Sequence, residues 1–244
     1  LLPGGSNRAP RWTTVDGTRQ QEAVNAVRKG LLAYDRRHGW RGAVAHVELP
    51  ADADAATYAR ELASYDSVSG LLPGLVVASD ATSASVVLPR GKSATLALAG
   101  VAWARPHISE NRTGPAPKRV DEVLQRGDVI RLAQDADGAW QLAQVPAVQG
   151  ALASLRPEDG AIEALVGGFN FGRSKFNRAV MAARQPGSSF KPYLYSAAFD
   201  RGFTPASIVN DAPLALPDPS RPNGIWTPSN DDGKFAGPMR LREA

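Results

Sequence analysis

Apolar residues recur at helical spacing near the N-terminus, at Val24, Val27 and Leu31, downstream of a Thr18-x-x-Gln21 capping box. The pattern predicts a helix of about three to four turns. It ends in Tyr34-Asp35-Arg36-Arg37-His38-Gly39, where basic residues suit a helix C-terminus and the glycine suits a left-handed cap. From about Ala43 to Val145 the period changes to two, in short runs broken by turn residues: Val44–Leu49, Leu75–Ser79, Ser85–Leu88, Ala94–Leu98, Val129–Leu132 and Trp140–Val145. Five or six such strands predict a small closed barrel or a sandwich. Asp52–Leu72 reads as a helix-bearing excursion and Arg105–Arg119 as a long loop.

After Pro146 a new unit begins. Leu152–Leu155, the turn Arg156-Pro157-Glu158-Asp159-Gly160, and Ala161–Val166 predict a β-hairpin. A bend at Gly167-Gly168 follows, then a polar loop over Phe169–Arg178 and a helical turn over Ala179–Arg184. Gly187 opens a helix to about Asp200, and Asp211–Pro238 reads as mostly irregular. The organisation expected is a tail over 1–11, a helix over 12–42, a β domain over 43–146 for which the OB-fold is one option, and a further unit over 147–244. The fold class is therefore α+β and multidomain.

Composition narrows this only a little. A length of 244 residues with 43% apolar content can build real cores, while 19 prolines and 23 glycines exclude an all-helical fold. A net charge of +4 fits nucleic acid, an anionic polymer or lipid headgroups without choosing among them. With no cysteine there is no disulfide, thiolate metal site or cysteine nucleophile. No apolar run approaches the roughly 20 residues of a membrane span, and the first residues lack the order of a signal peptide. His38, His46 and His107 have no metal-ligand spacing, so no metal or cofactor is expected. Trp103 and Trp140, in β runs, are read as core or barrel anchors. The cluster of Lys118, Arg119, Arg105, Arg112 and Arg126 is read as a solvated face, with a partner-binding patch as the alternative.

The candidate chemistry lies at Ser188-Ser189-Phe190-Lys191. Positions i and i+3 share a helix face, so a neutral Lys191 can take the proton of the Ser188 hydroxyl. A serine at a helix start also brings free backbone N–H groups toward a developing oxyanion. Pro192 has no amide, which is tolerated near a helix N-terminus, and Gly187 leaves room for substrate. By spacing alone, a solvated helix start and a nucleophile both remain open.

The longer context carries a resemblance. Gly167-Gly168-Phe169, Lys175-Phe176-Asn177-Arg178-Ala179 and Arg184-Gln185-Pro186-Gly187-Ser188-Ser189-Phe190-Lys191-Pro192 resemble the start of the transpeptidase domain of class A penicillin-binding proteins. Trp12-Thr13-Thr14 through Arg41-Gly42 resembles the linker that follows the glycosyltransferase domain there. Val101-Ala102-Trp103-Ala104-Arg105-Pro106 and Trp140–Pro146 resemble the OB-like insertion of the 1A type.

That resemblance implies an OB-like barrel beside an incomplete transpeptidase domain of the penicillin-binding-protein and β-lactamase type. It implies that Ser188 attacks a peptidoglycan stem peptide to form an acyl-enzyme, with Lys191 as base, and that β-lactams acylate the same hydroxyl. It further implies a parent with a glycosyltransferase domain, anchored in the inner membrane and facing the periplasm, and no nucleic-acid partner. The family's Ser-x-Asn and Lys-Thr-Gly elements are expected downstream of Ser188, yet the sequence reaches Ala244 before either, so the fragment alone is expected to be inactive. Ser109-Glu110-Asn111 and Arg112-Thr113-Gly114 imitate them in letters but adjoin each other upstream, and are read as loop residues. Residues 151–244 are expected to fold poorly alone. A rival expectation is a docking module whose OB-like domain binds an outer-membrane lipoprotein activator. An oligonucleotide-binding OB domain would leave the Gly187–Pro192 context unexplained, and a β-lactamase the linker and barrel.

Overall fold

In the computed structural model the described residues are 13–244. The tail expected over 1–11 lies outside them. The chain forms two compact units, one ending at Ala182 and the other Ala183–Ala244.

The first unit opens with α1, Gly17–Arg37, whose 21 residues make almost six turns where three to four were expected. Its cap is Asp16, whose carboxylate accepts from the Arg19 amide at 2.8 Å, and not the Thr18-x-x-Gln21 box. Aspartate caps as well as threonine does, and the Thr18 pattern lies inside the first turn. The glycine end is as expected: Gly39 has φ +89°, and a Cβ there would lie 2.7 Å from the Arg105 carbonyl oxygen.

The β domain follows. Its elements are β1 (Ala45–His46), α2 (Ala55–Leu62), β2 (Leu72–Ser79), β3 (Ser83–Val87), β4 (Ser93–Ala97), α3 (Leu98–Val101), β5 (His107–Ser109), β6 (Arg112–Thr113), β7 (Asp128–Gln134) and β8 (Trp140–Ala143). All six expected strands join one antiparallel sheet in the order β1-β7-β2-β3-β4, with β8 also on β7. Alternation explains its two faces. Ile130 and Leu132 enter the barrel interior with Val76, Val86, Leu96 and Leu142, whereas Val129 points out to a second cluster with Leu62, Leu75 and Tyr58, which α2 covers. No hydrogen-bonded ladder joins β4 to β8. There α3 fills the space: a Cβ at Gly100 would sit 2.6 Å from the Trp140 carbonyl oxygen, so only glycine lets the helix approach. Each fully buried leucine or valine here contributes about 1.5–3 kcal/mol.

Three expectations change in this domain. The long loop Arg105–Arg119 contains the β5–β6 hairpin, so Ser109, Arg112 and Thr113 are ladder residues and not loop. Trp103 lies after α3 and not in a strand; its indole donates to the Leu142 carbonyl at 3.0 Å and meets Trp40 edge to face at 5.9 Å. The basic cluster is partly engaged: Arg119 pairs with Asp121, and Arg126 donates to the carbonyls of Leu49 and Pro50.

The chain leaves the barrel into β9 (Leu152–Leu155) and β10 (Ile162–Val166), which pair as expected. Asp159 accepts from the Ala161 amide within the turn at 3.0 Å, and Gly160 takes φ +73°. Ala23, Val24 and Val27 of α1 pack on Leu152, Ala164 and Val166. Gln20 binds both the amide and the carbonyl of Leu165, at 2.8 and 3.1 Å, and Arg19 pairs with Glu163. The N-terminal half of the helix is thus docked on the hairpin. A short helix α4, Arg178–Met181, capped by Asn177, ends the unit.

Where chain enters and leaves the barrel, a buried polar joint forms. Asp35, only 3% exposed, accepts two hydrogen bonds from Arg41 at 2.8 and 3.0 Å and one from the Ala147 amide at 3.1 Å. Gln144 closes the joint, donating to the Gly39 carbonyl at 2.8 Å and accepting from the Arg41 amide at 3.1 Å. Every polar partner is satisfied, which is the condition for burying charge at this depth.

The second unit holds a 3₁₀ turn over Gly187–Phe190, the helix α5 (Lys191–Asp200), and strands β11 (Ile208–Asp211), β12 (Leu216–Pro217), β13 (Ile225–Trp226) and β14 (Gly237–Arg240). The stretch read as irregular therefore carries two short ladders, β11–β14 and β12–β13. Asp211 of β11 holds the segment that leads into β14, accepting from the Ala236 amide at 2.8 Å and from the Asn230 amide group at 2.9 and 3.0 Å. Large apolar side chains stay exposed here, among them Tyr193, Leu194, Phe199 and Trp226, and α5 buries none of its residues.

Candidate active site

The second unit gives Ser188 its setting. Gly187 has φ +53°, a left-handed conformation that glycine adopts without strain, and a Cβ there would meet nothing within 4 Å. The backbone turn, more than space, is what requires glycine. Because Pro192 has no N–H, the Ser188 carbonyl has no i+4 donor. It accepts instead from the Lys191 amide, which closes a 3₁₀ turn. In such a turn residues i and i+3 eclipse, so Ser188 and Lys191 project from the same side. The helix expected from Gly187 to Asp200 is thus present, with its first turn wound tighter than α.

The geometry stops short of an assembled catalytic pair. Ser188 and Lys191 are both exposed, and no hydrogen bond or ion pair joins either side chain to another described residue. The Ser189 amide is already bound to the Pro186 carbonyl at 3.1 Å, which leaves one fewer donor for an oxyanion than the sequence suggested. Phe190 and Tyr193 flank the turn with ring centroids 5.8 Å apart. Cavities of about 750 and 640 Å³ in this unit lie around Ile225–Ser229 and around Asp211 and Asn230; neither is lined by Ser188.

The upstream motif residues lie in the first unit and form a closed loop. The Arg178 amide and guanidinium both donate to the Gly167 carbonyl, at 3.2 and 3.3 Å. Asn177 passes so close that a Cβ on Gly167 would lie 2.7 Å from its Cα. The stretch is more than the polar loop expected: Phe169 is buried at 2% exposure, and neither this nor the Asp35–Arg41–Gln144 joint is among the expectations from sequence. An aromatic after two glycines and an aspartate in a helix's last turns were the only signals. Among the described residues no group of histidines and carboxylates has metal-binding geometry, and no helix is long and apolar enough to cross a membrane. His46 pairs with Asp128 at 2.8 Å, and His38 stacks on Tyr34.

Comparison with known proteins assigns both parts. Residues 40–148 match the family model of the penicillin-binding protein OB-like domain, and residues 150–244 match that of the penicillin binding protein transpeptidase domain. The chain belongs to the penicillin-binding proteins. Within them it is similar to penicillin-binding protein 1A of Pseudomonas aeruginosa, 45% identical over 232 residues, covering 95% of this chain and 28% of that protein. It is 43% identical over 234 residues to penicillin-binding protein 1A of Escherichia coli, covering 95% of this chain and 27% of that one. The crystal structure of penicillin-binding protein 1A from Haemophilus influenzae superposes with a TM-score of 0.74 at 36% identity, over 95% of this chain and 32% of that one. The chain therefore spans under a third of the length of the relatives it matches. The mixed α and β architecture with an OB-like barrel agrees with all three comparisons.

Proposed function

We propose that Ser188 is the acylating nucleophile of a D,D-transpeptidase that cross-links peptidoglycan stem peptides. The observation that carries this reading is the 3₁₀ turn that aligns Ser188 with Lys191 within the region matched to the penicillin-binding transpeptidase domain. The Ser188 oxygen attacks the penultimate D-alanine carbonyl of a donor stem while Lys191 acts as the base for the hydroxyl proton. The terminal D-alanine leaves with a proton, giving an ester. An amine of a neighbouring stem then attacks that ester, forming the cross-link amide and freeing the serine. β-Lactams enter at the first step and stay as the ester. The chain functions as part of a longer protein, with 12–42 following a glycosyltransferase domain, the OB-like domain at 43–146 and the transpeptidase domain starting at 147. That protein is anchored in the inner membrane with these domains in the periplasm.

The test is cross-linking of synthetic stem peptides by the full-length protein. Ser188→Ala abolishes product and D-alanine release, and Lys191→Ala lowers both by roughly a hundredfold or more, the range of general-base catalysis. Product at the normal rate from Ser188→Ala sinks the reading.

A second reading, a docking role for the OB-like domain toward a protein activator, draws on one observation. A groove of about 380 Å³ opens between α2 and the Pro89–Gly91 turn, lined by Tyr58, Leu62, Leu88 and Arg90. Tyr58→Glu would abolish activator binding on this reading while leaving basal cross-linking intact; unaltered binding would dismiss the groove.

A further inference from the structure

Phe169 follows the Gly167–Gly168 bend, and its ring is buried with Val68, Leu71 and Ala143 of the OB-like domain and with Leu31 and Leu32 of α1. Its backbone is held as firmly as its ring. The amide donates to Gln149 Oε1 at 3.2 Å, and the carbonyl accepts from Ser69 Oγ at 3.1 Å and from Arg28 Nε at 3.3 Å. The same Ser69 oxygen accepts from Asn170 Nδ2 at 3.0 Å. One hydroxyl therefore serves as donor and acceptor to two successive residues of the loop.

Ser69 adopts φ +52°, in the left-handed region that costs a side-chain-bearing residue energy and costs glycine none. Glycine would fit that backbone better. What serine adds is the hydroxyl, and both of its hydrogen bonds reach Phe169 and Asn170. Strain is accepted at this position to make the contact. Beyond the contact the loop is closed by Arg178 on Gly167, and the chain runs from α4 through residues 182–186 to the turn that bears Ser188.

We propose that the Ser69–Phe169 clasp is a positioning device for acylation: the OB-like domain fixes the base of the loop from which the chain runs to Ser188. Ser69 and Phe169 are positioning residues and touch no substrate. The proposal rests on the reading of Ser188 as the nucleophile.

The test uses the full-length protein and a fluorescent penicillin in stopped flow, separating the dissociation constant of the first complex from the acylation rate constant. Ser69→Gly removes the hydroxyl and relieves the backbone, so a purely stabilising role predicts wild-type behaviour or better. The clasp predicts acylation slower by about fivefold, the worth of one net hydrogen bond, with Tm and the first dissociation constant unchanged. Ser69→Ala slows acylation to a similar degree and also lowers Tm. Hydrogen exchange read independently of labelling shows faster exchange over residues 170–187 in both variants, with β7 unaltered. A wild-type acylation rate in Ser69→Gly, or unchanged exchange over 170–187, overturns the proposal. Label retained by Ser188→Ala instead removes the reading of Ser188, while the exchange result still judges the clasp.

Discussion

Removing either partner of the Asp35–Arg41 pair leaves the other in a setting built for it, and the two losses are unequal. Asp35 is 3% exposed in its side chain and Arg41 30%. Breaking a buried pair costs about 3–5 kcal/mol, chiefly because the survivor is stranded without solvent. In Asp35→Ala the Arg41 guanidinium keeps its bond to the Val145 carbonyl at 2.9 Å and turns its open side to water, so the cost falls near the low end, about 3 kcal/mol. In Arg41→Ala the carboxylate, far more deeply buried than the guanidinium, keeps only the Ala147 amide at 3.1 Å, so the cost approaches about 5 kcal/mol. The double variant strands neither charge and should be less destabilised than the sum by at least about 2 kcal/mol. Denaturant unfolding followed by the fluorescence of Trp40 and Trp103, both within reach of the joint, measures all three. Arg41→Ala no more harmful than Asp35→Ala, or an additive double variant, would refute the argument that burial of the carboxylate sets the asymmetry.

Other consequences follow from single positions. Leu132→Ala, in the fully buried barrel interior, should cost about 2–5 kcal/mol by the same unfolding assay. Gly39→Ala meets both a positive φ and the Arg105 carbonyl, and should lower Tm by several degrees, whereas Gly138→Ala, with a positive φ and open space, should lower it less. Asp211 is held below its ordinary carboxylate range by the Ala236 amide first and the Asn230 amide second. A depressed folded-state value means its contribution is complete above the unfolded value of 3.8 and fades as pH falls through the folded one, so protection of the β11–β14 amides should persist at pH 5 and decline only on further acidification. Asp211→Asn should make that protection insensitive to pH over the same range.

What the sequence disclosed tracks the range of the interactions involved. Strands β3 and β4 were legible because each alternates against the barrel core, β2 and β7 because they are short apolar runs buried on both faces, and the β9–β10 hairpin because its turn chemistry is local. The length of α1 was not, since its first turn is fixed by Asp16 and by docking on Glu163 and Leu165, nearly 150 residues away. The β5–β6 hairpin and the two ladders after α5 are short and largely exposed, so no apolar alternation marks them. At the site, Ser-x-x-Lys with its neighbours identified the residues, while the 3₁₀ turn follows from the missing Pro192 amide and could be argued only once the Ser188 carbonyl had a partner. The burial of Phe169 is a tertiary fact: its ring is covered by residues up to about 140 positions distant, and its own loop offers only the aromatic after two glycines as a signal.

The claim on which the rest depends is that Ser188 carries the acyl group. The direct measurement is intact mass of the full-length protein after incubation with a penicillin, followed by peptide mapping of the adduct, beside Ser188→Ala. The account predicts one penicilloyl group per chain, on the peptide that spans Gly187–Lys191, and none on the variant. An adduct of equal yield on Ser188→Ala, or one mapped to another residue in the unaltered protein, would contradict it.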